Sequence, residues 1–129
     1  MSECREIMKL HNKLISSEKH PFTPKGTRVK VSEEQGVYII YSLHNTVLHV
    51  GRTNGGREGL NQRLNNHRND NSSFSDKYLK FYNIKLSEGC MFKYIVVKDS
   101  RKRALLEALT IGLICPAHIG TGEKSNKEK

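Results

Sequence analysis

With 129 residues and three cysteines that show no C-x-x-C spacing, the chain has room for one modest core, and neither a disulfide framework nor a cysteine zinc site is expected. A formal net charge of +9 and a pI of about 9.6 point to a polyanionic partner, of which nucleic acid is the commonest. No run is long and apolar enough for a membrane span or a signal peptide, so the expectation is a cytoplasmic protein without a membrane partner.

Ile7, Leu10, Leu14 and Ile15 recur at helical spacing and predict an amphipathic helix ending near Ser16 and Ser17. Pro21 and Pro24 then require an extended or turning linker. Lys25, Arg28 and Lys30 make that linker basic, either as a solvated connector or as a row of cations along a phosphate backbone. Residues 37–42 are β-branched and aromatic and read as a strand, His44-Asn45 as a hairpin turn, and 47–50 as the returning strand. The glycine-rich piece 51–59 reads as a loop and carries Arg52 and Arg57, two further candidates for nucleic-acid contact. Leu60 and Leu64 mark one face of a helix reaching about Arg68, followed by a polar loop at 69–73 and a helical pattern at 74–82. Residues 91–97 read as a third strand, and 101–114 as a strongly apolar helix ended by Pro116. Cys90 and Cys115 border apolar segments and are expected as small core residues.

This order predicts an α+β fold: a small three-stranded central sheet flanked by helices, with an N-terminal helical arm. The expected divisions are a helix and basic linker at 1–34, the folded domain at 35–119 and a polar tail at 120–129.

Three features carry chemistry. Glu107 lies in the most apolar helix of the chain, which is expected to be buried on most sides, where a carboxylate costs several kcal/mol unless a cation meets it. Arg103 one turn earlier is a weakly oriented partner; a divalent metal or an arginine from across the sheet would serve better. Arg63 and His67 stand four residues apart on one helical face, beside the Leu60/Leu64 stripe. Arginine's planar fork suits a phosphate, and the histidine suits a phosphate hydrogen bond or a proton shuttle. Tyr38 and Tyr41 point to opposite faces of their strand, so one of them can line a site while the other packs.

Together, Gly36-Val37-Tyr38, His49-Val50-Gly51-Arg52-Thr53, Arg63, His67 and Glu107 resemble the GIY-YIG nuclease superfamily, over residues 36–116 and in the form R-x-x-x-H that looks most like the restriction-enzyme branch. The resemblance implies a metal-dependent DNA endonuclease. Tyr38 would activate or align the attacking water, with His49 close by. Arg63 would hold the scissile phosphate, His67 would stand near the attacking or leaving group, and Glu107 would ligate one divalent ion, Mg2+ or Mn2+. Nearby Arg63, Arg52 and the ion are expected to lower the Tyr38 pKa.

The chain departs from the pattern twice. His49 replaces the tyrosine that opens the second motif, which implies either a better base near neutral pH or a weakened site. The asparagine that often follows the glutamate's helix is missing, and His118 is the residue at hand. The alternative reading is a weakened or noncatalytic nucleic-acid-binding module on the same fold. A compact single-site enzyme cuts both DNA strands either as a homodimer or by acting twice.

Overall fold

The structure is a computed structural model that describes residues 2–120, so the expected tail lies almost wholly outside the described residues. Helix α1 (Glu3–Ile15) starts at Ser2, whose hydroxyl accepts the Arg5 N–H at 3.3 Å, and ends at Ser16 as its periodicity predicts. Strands β1 (His20–Pro21), β2 (Gly36–Tyr41), β3 (Val47–Arg52) and β4 (Met91–Val96) form one antiparallel sheet in the order β1-β4-β2-β3. Helices α2 (Gly59–Arg68) and α3 (Ser100–Ile114) complete the fold.

The sheet has one strand more than expected. β1 is two residues long, and it pairs with β4 because Phe22 next to it is buried in the core and donates its N–H to the Cys90 carbonyl at 3.2 Å. β2 is central and buried at every position, which explains its unbroken apolar run. Its face with Tyr38 and Ile40 packs against Leu60 and Leu64 of α2 and against Phe74, Tyr78 and Leu79. Its other face, with Val37, Ile39 and Tyr41, packs against Ile7 and Leu14 of α1 and Leu106 of α3. The two tyrosines therefore take opposite faces, as the period of two requires.

Four local readings need correction. The pattern at 74–82 forms one π-helical turn (Ser75–Leu79) that closes through Lys80 N–H to the Ser75 carbonyl at 2.9 Å, not a regular helix. The 51–59 loop is shorter than expected, because Gly51 and Arg52 still belong to β3. Cys115 is exposed, since it takes a left-handed conformation (φ 47°) that ends α3 just before Pro116, whereas Cys90 is buried. The apolar helix α3 buries only the stripe that meets the sheet and α1, and Leu113 is 60% exposed.

Buried polar pairs tie the layers. His11 Nδ1 lies 2.9 Å from Thr110 Oγ1, joining α1 to α3. Arg103 is buried and donates to the carbonyls of Thr53, Val97 and Lys98 at 2.8–3.2 Å, so it fastens the ends of β3 and β4 rather than serving Glu107. The basic linker is stapled to α2. Asn65 accepts the Val29 N–H at 2.8 Å and donates to the Val29 carbonyl at 2.9 Å, and Asn61 Oδ1 accepts the N–H groups of Val31 and Ser32 at 2.7 and 2.9 Å.

Replacing Asn65 strands a buried N–H and a buried C=O at Val29. Asn65→Ala is expected to destabilise the protein by roughly 2–4 kcal/mol, read as a lower urea midpoint at unchanged slope. An unchanged midpoint would show that the linker does not depend on this pair.

Candidate active site

The site is assembled around a close approach in the sheet. Tyr38 on β2 pairs in register with Gly51 on β3. A Cβ added at Gly51 would overlap the Tyr38 hydroxyl and ring, so this glycine leaves room for the tyrosine to lie across its neighbour. Thus directed, the Tyr38 hydroxyl meets His67 Nε2 at 2.6 Å, inside the protein. The other nitrogen of that ring, Nδ1, lies 2.7 Å from Ser72 Oγ. His67 is only 1% exposed and both its nitrogens are engaged, which leaves no nitrogen facing outward for a phosphate.

Arg63 sits one turn before His67. Its charge acts on Tyr38, His49, His67 and Glu107 alike, which places the guanidinium among them. Its Nε is buried and has no hydrogen-bond partner among the described residues. On the opposite flank, Glu107 of α3 meets Arg52 of β3, with Nε to Oε1 at 3.6 Å. That is an ion pair without a hydrogen bond, between partly exposed groups, so the carboxylate keeps lone pairs for another cation. Of the two kinds of partner expected for Glu107, an arginine is present, on the strand that α3 packs against.

His49 lies on the wall of the site. Its ring stacks on Phe74 at 4.3 Å between centroids, and its Nδ1 is 3.2 Å from His118 Nδ1. His118 is brought there because the chain after α3 runs along the outside of β3, with the N–H groups of Ala117 and His118 on the carbonyls of Val47 and Leu48.

Burial dominates the electrostatics. It pushes the Tyr38 phenol up to about 12, against the pull of Arg63, so the expected lowering is reversed. Burial, and then the neighbouring His118 and Arg63, push His49 down to about 3. His67 is held well below the ordinary histidine value by burial, His49 and Arg63. Burial raises Glu107, with Arg52 and Arg63 opposing. All three imidazoles of the cluster are therefore biased towards the neutral form, His118 mainly through its own burial.

Among the described residues no group of three His, Cys, Asp or Glu side chains is placed to cage a metal. A single carboxylate with free lone pairs suits a hard divalent ion that takes its remaining ligands from water and a substrate phosphate. The other expected contacts are peripheral. Arg28 pairs with Glu58 at 2.7 Å, Arg57 and Lys30 are exposed, and Lys25 borders a cleft with Arg68 and Lys85. Sequence reasoning missed Ser72, which stands five residues after His67 in a loop of ordinary polar composition.

A family model described as the GIY-YIG catalytic domain matches residues 34–114. No curated protein and no solved structure matches the chain significantly.

The buried neutral histidines have a consequence for stability. In the unfolded chain they titrate near ~6.5, and in the fold His49 does so near 3. Between these values the unfolded state binds more protons, so stability is unaffected above about pH 6.5 and falls as pH drops below it. The slope is up to about 1.4 kcal/mol per pH unit for each such histidine. Thermal unfolding from pH 7.5 to 4.5 is expected to show this fall, and His49→Phe should flatten it; equal slopes would overturn the assignment.

Proposed function

Because the chain belongs to the GIY-YIG nuclease superfamily, we propose that it is a metal-dependent DNA endonuclease in which Tyr38, Arg63, His67 and Glu107 act together. The family implies a nuclease acting on nucleic acid, and GIY-YIG nucleases are generally dependent on a divalent metal. The observation that carries the finer reading is the short Tyr38–His67 contact with the Arg63 charge acting on both partners.

Arg63, which is only partly buried as a residue, binds the scissile phosphate through its permanent charge and planar fork. Arg52 flanks it, and the more distant Lys25, Arg28, Lys30 and Arg57 hold the DNA backbone without reading bases. Glu107 would hold Mg2+ or Mn2+, and a bound ion supplies charge stabilisation for the pentavalent transition state. Tyr38 orients the water and receives its proton while giving up its own. At pH 7 a phenol with a pKa of about 12 ionises about 7 kcal/mol uphill, so Tyr38 alone is a poor base. That cost is avoided when the phenol receives the water's proton as it gives up its own, so that no phenolate accumulates, and His67 Nε2 is in position to take the departing proton. His67 thus serves Tyr38 rather than the phosphate. His49 stays neutral and shapes the pocket through its stack on Phe74. Residues 35–119 carry the chemistry, and the arm at 1–34 braces them through α1 and the stapled linker.

Supercoiled plasmid incubated with Mg2+ is expected to be nicked or cut, and EDTA to stop the reaction. Glu107→Gln, Tyr38→Phe and Arg63→Ala should each lose roughly 10²-fold or more in rate. Undiminished cutting by Glu107→Gln would remove the metal-ligand role. Tight, metal-independent binding without cutting would favour a noncatalytic module.

A further inference from the structure

A neutral imidazole has one N–H donor and one acceptor nitrogen, and its neighbours decide which is which. If His67 is to receive the Tyr38 proton on Nε2, its own hydrogen must sit on Nδ1, where an acceptor has to hold it. Ser72 Oγ, 2.7 Å away, is the polar atom at that position.

The loop around Ser72 is built to keep the hydroxyl there. Ser72 Oγ accepts the Ser75 N–H at 3.1 Å, and the Ser72 carbonyl accepts the Asp76 N–H at 3.0 Å. Ser75 Oγ in turn donates to Asp70 Oδ1 at 2.7 Å, and the Asn71 N–H reaches the Asn66 carbonyl at 2.8 Å. With lone pairs taken by His67 and Ser75, the Ser72 hydroxyl keeps its own hydrogen to donate. Ser72 is only partly buried, unlike Tyr38 and His67, so this hydrogen can face water.

We propose that Ser72 is a positioning residue that fixes the His67 tautomer and passes the Tyr38 proton to solvent. The role rests on the nuclease reading above. In the transfer, the Tyr38 O–H bond breaks as Nε2–H forms on His67, the Nδ1–H bond breaks as a new O–H forms on Ser72, and the original Ser72 hydrogen goes to water. One proton leaves to solvent, Tyr38 takes the proton of the attacking water in place of its own and ends as phenol, and His67 ends neutral in its other tautomer. This balance suits the site, because burial and the nearby Arg63 charge disfavour a lasting imidazolium. His67 can relay a proton there but is a poor place to store one.

The test uses the full chain with Ser72→Ala, Ser72→Cys and Ser72→Thr, reading plasmid cleavage and the 15N signature of the His67 ring at pH 7.5. The alanine variant is expected to lose roughly 10²-fold in kcat at unchanged KM. Its His67 signal should move from the Nδ1–H to the Nε2–H pattern. Threonine, which keeps the oxygen, should restore both. Cysteine keeps the volume but accepts poorly, so it should lose kcat even if alanine unfolds the loop. Full kcat in the alanine or cysteine variant with His67 still in the Nδ1–H form would overturn the proposal. A wild type that cuts no DNA, with the tautomer still moving in Ser72→Ala, would defeat the nuclease reading while upholding Ser72 as the tautomer lock.

Discussion

The hydrogen bond between Tyr38 and His67 is the constraint on which the rest of the molecule depends. It is made inside the protein, so both partners must be delivered by rigid elements. Tyr38 comes from the most buried strand, and its ring can lie over β3 only because Gly51 has no side chain there. His67 comes from α2, which Leu60 and Leu64 anchor to the same sheet face. A displacement of either element by about 1 Å would break a contact of this length.

The remaining tertiary links set the position of those elements. Asn61 and Asn65 bind the linker to one side of α2, and Arg103 closes the ends of β3 and β4. The opposite face of the sheet is covered by α1 and α3, which share a buried polar tie. Glu107 therefore approaches from one layer and Arg63 with His67 from the other, and the Arg63 charge reaches Glu107 beside β3, one of the two outer strands. The groups of the candidate site are divided between two cores, and the sheet is the common reference for both.

Regular periodicity made most of this legible. The three long strands, α1 and α3 carry strong apolar patterns and α2 a sparse one in Leu60 and Leu64, and their boundaries fall within a residue or two of where those patterns stop. The ordered set Tyr38, Arg63, His67 and Glu107 was legible as a family pattern. β1 was not, because two residues ending in proline have no pattern of their own; they pair beside the buried Phe22. The stapling asparagines and Ser72 were also hidden: each looks like any polar residue until the fold gives it a partner. The direction of the Tyr38 shift failed for a related reason. Sequence shows which cations can be near, but not how deep the phenol lies, and here depth outweighs charge.

The two outer strands of the sheet have a consequence of a different kind. A bare strand edge is a template for another chain's backbone, and proteins blunt such edges or cover them. Here one outer strand is two residues long and ends in Pro21, while the other has its Val47 and Leu48 carbonyls occupied by the chain's own residues 117–118. The segment that carries His118 into the site thus also guards a flank. With both outer strands blunted in this way, the protein does not offer its backbone ladder to a second copy of itself.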